Sequence, residues 1–111
     1  MKTSNLLEQQ ASETAPLTHM CGFAGQELMM TRITFEAGAI GTSHAHPHEQ
    51  MTIVLRGEIE FTLGDEHRLL KAGDVVSIPS AIYHGVVART AAEVLDVFTP
   101  VRQDLIEKLN L

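Results

Sequence analysis

The sequence holds a single cysteine, Cys21, so no disulfide can close within the chain, and a buried thiol in a reducing compartment is the expectation. It also has no apolar run of the ~18 residues that a membrane-spanning helix requires, which points to a soluble protein. Its opening, "MKTSNLLEQQASETAP", has neither a continuous apolar stretch nor a small-residue cleavage site, so no secretory signal is read and the cytoplasm is the expected location. Basic residues are scarce. Eight Lys and Arg stand against fourteen Asp and Glu, giving a formal net charge of -6 with no basic cluster, which disfavours nucleic acid as a partner. Internal repeats and low-complexity segments are missing too. A length of 111 residues fits one domain with a real core, as does a hydrophobic share of 44%.

Residues 1–16 are polar, end at Pro16, and read as a flexible arm lying across the domain or a partner subunit; residues 17–111 form the folded domain. From Leu28 onward the chain falls into short segments rich in Val, Ile, Phe and Thr, separated by Gly, Asp and Pro: "LMMTRITF", "QMTIVLRG", "EIEFTLGD", "HRLLKAGD", "VVSIPS", "IYHGVVA" and "EVLDVFTP". These are expected strands. Ile59, Phe61 and Leu63 alternate with Glu58, Glu60 and Thr62, a period of two that buries one face. "LGDEH" then fits a hairpin turn. Many short strands without helical crossovers predict an all-β sandwich or barrel of antiparallel strands. In the tail, Val101, Leu105 and Leu109, with Ile106 beside them, form one apolar helical stripe, so a short helix on the outside of the barrel is expected after Arg102.

"HAHPHEQ", His44 to Gln50, concentrates donor side chains in seven residues. Residues two apart on a strand project to one side, so His44 and His46 can converge, Gln50 keeps the same parity, and Glu49 should face away. Pro47 bends this strand. His84, in "PSAIYHG", can join them from another hairpin. Three nitrogens and one amide oxygen suit a single divalent transition metal ion such as Ni, Zn, Mn or Fe. His48 either lines the pocket mouth or stands in solvent, His67 is expected at the surface, and His19 has no assigned role.

The spacing around these residues carries more information than "HAH" alone. Gly38 precedes His44 with five residues between, and Gln50 precedes Gly57 with six between. Gly73 precedes Pro79 with five between, and His84 follows after four more. The pattern resembles both conserved motifs of the cupin superfamily, which implies a small jelly-roll barrel with His44, His46, Gln50 and His84 as metal ligands. The chain departs from those motifs at Gln50, where glutamate is usual, and at Ala81 and Ala88, where glycine and asparagine are usual. A neutral amide leaves the metal its full double charge, so the ion is held less tightly and polarises an oxygen more strongly.

The strand "EVLDVFTPVRQDL" adds a second group: Asp96 and Phe98 share a face and Arg102 follows Pro100. A carboxylate inside "VLDVF" is costly unless it is paired or functional, and an ion pair with Arg102 or Arg32 stands beside catalysis as a reading. Taken together, "HAHPHEQ", "KAGDVVSIPSAIYHG" and D-x-F-x-P-x-R resemble the family of the pectin-degradation protein KdgF, from Leu28 to Arg102. That resemblance implies conversion of unsaturated uronate monosaccharides, left by pectin or alginate breakdown, to their linear ketonised form. It places catalytic roles on Asp96, Phe98 and Arg102. The residues suit this chemistry, with Asp96 moving a proton and Arg102 clamping the substrate carboxylate. Arg32 reads equally as a second cation at the pocket or as a salt-bridge partner. The negative net charge does not exclude a uronate, because exposed carboxylates are screened beyond roughly 8 to 10 Å.

Two rivals differ in class. Another small metal cupin, a sugar isomerase or a dioxygenase, is the enzymatic one, although Asp96 and Arg102 supply an acid-base set that makes redox unnecessary. A non-catalytic sugar-binding cupin is the other, although sensors commonly carry a DNA-binding module for which 111 residues have no room. A homodimer is expected, since small sandwiches expose edges and flat faces.

Overall fold

A computed structural model describes residues 1–111. Ten strands precede one helix: β1 (Ser12–Ala15), β2 (Thr18–Ala24), β3 (Met29–Phe35), β4 (Ile40–His44), β5 (Glu49–Arg56), β6 (Glu58–Leu63), β7 (Glu66–Lys71), β8 (Val75–Ile78), β9 (His84–Ala88), β10 (Ala92–Thr99) and α1 (Gln103–Lys108). They build two antiparallel sheets, one ordered β1-β2-β3-β10-β5-β8 and the other β4-β9-β6-β7. The all-β jelly-roll with a short C-terminal helix is therefore present, and every segment expected as a strand is one. The Gly64-Asp65 turn closes the β6–β7 hairpin, with Leu63 opposite Glu66.

The pleat decides which residues reach the interior. On β10 the even-numbered Val94, Asp96 and Phe98 are buried, and on β5 the even-numbered Gln50, Thr52 and Val54 are buried. Two apolar clusters result. The larger contains Ile33, Phe35, Val54, Ile59, Phe61, Ile78 and Val94, and the smaller Ala24, Met29, Phe98 and Leu105. Between them the register sets Thr31, Asp96 and Thr52 side by side across three adjacent strands, a polar row in an otherwise apolar wall.

Two parts of the chain are more integrated than their sequence suggests. The sheet continues back to Ser12, because β1 pairs with β2, and the residues before it lie against β2: Gln9 Nε2 donates to the Gly22 carbonyl at 3.0 Å, and the Cys21 thiol to Leu6 at 3.4 Å. The helix α1 packs Leu105 against Ala24, Met29 and Phe98, so it closes one end of the barrel instead of only decorating the outside. No helix is long and apolar enough to cross a membrane.

The motif glycine Gly57 has a local cause: its φ is +79°, and a Cβ there would lie 2.2 Å from the Ala91 carbonyl oxygen. Ala81, at a position where glycine is usual, also has positive φ, 66°. Opposite outcomes follow. Gly57→Ala should cost at least about 2 kcal/mol through strain and clash, whereas Ala81→Gly should gain about 0.5 kcal/mol by relieving a left-handed alanine. Chemical denaturation of both variants checks this, and a Gly57→Ala protein as stable as the parent would contradict it.

Candidate metal centre and acid-base site

His44 ends β4 and lies directly opposite His84 at the start of β9. His46 is not on the same strand as His44, as the pleat argument supposes. The chain leaves one sheet at His44 and enters the other at Glu49, and Pro47, unable to donate to a ladder, sits in this corner. The corner still brings the rings together: His44 and His84 have centroids 4.5 Å apart, and His46 and His84 4.9 Å apart. One donor atom from each of the three lies within 4.8 Å of the others.

Each imidazole is oriented by its backbone. Nδ1 of His44, His46 and His84 lies 3.0 Å from the carbonyl oxygens of Thr42, His48 and Ile82 respectively. A carbonyl only accepts, so each Nδ1 carries the proton and each Nε2 of the neutral ring presents a lone pair. Burial lowers the pKa of both His46 and His84, with the Arg102 charge adding to the effect, which keeps these rings neutral. Nε2 of His84 is buried without a hydrogen-bond partner. Nε2 of His46 faces Gln50 Oε1 at 3.0 Å, an acceptor against an acceptor. Such an arrangement is unfavourable alone and is satisfied by a cation between the atoms. These residues could therefore hold a divalent metal ion, and neutral nitrogen donors suit a first-row transition metal.

Gln50 belongs to a chain of hydrogen bonds. Its Nε2 donates to Thr52 Oγ1 at 3.0 Å, and the Thr52 hydroxyl donates to Asp96 Oδ1 at 2.6 Å. Asp96 forms no ion pair with Arg102 or Arg32, which removes that structural explanation for its presence in the strand. Burial pushes its carboxyl up to about 6, with the Thr52 hydrogen bond and the Arg102 charge working in the opposite direction.

Phe98 is buried with its ring edge toward His46, at a centroid separation of 6.2 Å. The Arg102 guanidinium lies 5.4 Å from the Phe98 centroid and pairs with Asp104 at 2.8 Å. Burial disfavours the Asp104 charge, but that guanidinium overrules it and holds the carboxyl below its usual range. His44, Gln50, His84, Asp96, Phe98 and Arg102 line one cavity of about 170 Å³.

Arg32 is elsewhere. On β3, Thr31 and Ile33 turn inward and Arg32 outward, where it pairs with Glu93, so its placement at the pocket is corrected to the salt-bridge reading. His48 is half-buried, with its ring 5.4 Å from that of His46. His67 is exposed and bonds Thr62, and His19 lies 3.8 Å from Glu13. The sequence reading gave no role to Thr52 or Asp104. Thr52 had a signal, since it follows Gln50 by two on the same strand and must share its face.

Comparisons with known proteins agree with this architecture. Residues 31–98 match the Cupin domain family. The pectin degradation protein KdgF of Dickeya dadantii is 40% identical over 82 residues, covering 72% of this chain and 74% of that protein. The structure of KdgF from Halomonas sp. superposes with a TM-score of 0.85 at 34% identity, covering 88% of this chain and 94% of that one. An RmlC-like cupin from Shewanella frigidimarina gives 0.87 at 30% identity, covering 92% and 93%. With the motif spacing, the fold and the relatives in agreement, the chain belongs to the cupin superfamily and, within it, to the family of the pectin degradation protein KdgF.

Proposed function

We propose that the protein is a metal-dependent cupin enzyme that converts 4,5-unsaturated uronate monosaccharides to the linear ketonised form. The observation that carries this reading is Asp96: a buried carboxylate outside any ion pair, raised to about 6, in a cavity shared with the imidazoles of His44 and His84 and with Arg102. A 4,5-unsaturated uronate is a cyclic enol ether bearing a carboxylate. Opening it takes a proton on C4, water on C5, and collapse of the resulting hemiketal to a ketone with cleavage of the bond between C5 and the ring oxygen. A carboxyl near neutrality both gives and regains a proton, so Asp96 protonates C4 and recovers the proton from the added water.

Arg102 is suited to the substrate carboxylate. Asp104 engages Nε and Nη2, at 3.4 and 2.8 Å, which leaves Nη1 available. Phe98 supports the guanidinium on its face and supplies an apolar surface that excludes bulk water. His44, His46, His84 and Gln50 would hold one divalent ion, which when bound would polarise a substrate oxygen and offset developing negative charge. The free, buried thiol of Cys21 is compatible with a cytoplasmic setting.

A homodimer is part of this proposal. The outer face of the larger sheet carries Ile53 between Val75 and Leu95 in one row and Met51 beside Val97 in the next. Met51 is 52% exposed and Val75 59%, an apolar patch suited to the same face of a second copy. Light scattering on eluted protein should give twice the chain mass, reduced to the monomer by Met51→Glu. A parent protein that elutes as a monomer at micromolar concentration contradicts the dimer.

Incubation with an unsaturated galacturonate monosaccharide should remove the absorbance of its double bond. Asp96→Asn should lower kcat by about 10²-fold or more with little change in KM, and Arg102→Ala should chiefly raise KM. A folded, fully active Asp96→Asn protein would overturn the mechanism.

A further inference from the structure

Thr52 lies between the imidazole cluster and the acid. It is 3% exposed, two residues from Gln50 on β5 and directly across from Asp96 on β10. A hydroxyl has one proton and two lone pairs. The proton goes to Asp96 Oδ1, which as a carboxylate oxygen can only accept. What remains toward Gln50 is a lone pair, and Gln50 answers it with its NH2 group. An amide that turns its nitrogen to Thr52 turns its oxygen away, toward His46 Nε2.

We propose that Thr52 is the positioning residue that fixes the Gln50 amide with its oxygen toward the three imidazoles, so that a fourth donor atom and not an NH2 group faces the cation. This rests on reading the four side chains as a metal centre. Without the hydroxyl, the amide is free to turn over. In metal-free protein a reversed Gln50 would donate to the lone pair of His46 Nε2, a better hydrogen bond than the acceptor-to-acceptor contact it replaces, and the NH2 group would then obstruct the ion. Thr52 thus opposes a competing arrangement of the empty site. A carboxylate has no wrong way round, so Gln50→Glu should make metal binding indifferent to Thr52.

The test is Zn²⁺ affinity of metal-stripped protein, measured by competition with a chromophoric chelator, with melting temperature as the check on folding. Thr52→Val should weaken binding about 10- to 100-fold, and Thr52→Ser, which retains the hydroxyl, should stay within about 3-fold of the parent. In a Gln50→Glu background, Thr52→Val should have little effect. Thr52→Ala replaces the valine variant if that does not fold. Unchanged affinity in Thr52→Val, or an equal loss in both backgrounds, overturns the positioning role while leaving the metal centre standing. A parent protein without Zn²⁺ affinity overturns both.

Discussion

Three imidazoles whose Nε2 atoms face one another are the constraint around which this barrel is arranged. Their Nδ1 atoms are committed to the carbonyls of Thr42, His48 and Ile82, so none can turn a proton toward its neighbours. Close approach of unpaired acceptors is unfavourable, and the orphaned Nε2 of His84 shows that the fold provides no partner of its own. Held by the backbone of one sheet and of the corner that leaves it, the rings cannot relax apart without disturbing the opposed pair His44 and His84 or the corner at Pro47. A stored electrostatic demand of this kind is met by a cation, and it links the stability of the site to its proposed chemistry.

The inner wall shows how the barrel accommodates polar groups. Val94, Asp96 and Phe98 succeed one another on β10, so the carboxylate lies between an apolar cluster above and another below. The same apolar surroundings that stabilise the fold raise the Asp96 carboxyl to about 6. Thr52 limits that effect with a short hydrogen bond while linking the acid to Gln50. Arginine charges are divided by the pleat. Arg102 follows β10 at the cavity end, and Arg32 is turned outward to Glu93.

Much of this was legible in the sequence because period-two alternation and turn residues are local signals. β3 and β5 through β10 were read in this way, and the helix stripe around Leu105 was visible. β2 was not, since "THMCGFA" mixes polar residues with glycine and takes its strand form from pairing with β3. β4 carries Gly41, Thr42 and Ser43 and is mostly exposed, so it too lacks an alternating pattern. The His44, His46 and His84 cluster followed from spacing, although its geometry comes from a corner and not a pleat. The two readings of Arg32 could not be separated for a simple reason: sequence gives the alternation of a strand but not which parity faces in. Neighbouring Thr31 and Ile33, rather than Arg32, take the interior.

The most direct test of the central claim is anomalous diffraction from crystals of the protein loaded with Ni²⁺ or Zn²⁺, recorded at the absorption edge of the metal. The account predicts one peak per chain, bounded by Nε2 of His44, His46 and His84 and by Oε1 of Gln50. A peak ligated by the Asp96 carboxylate, one reached by fewer than three of these imidazoles, or an empty cluster in metal-soaked crystals would contradict it.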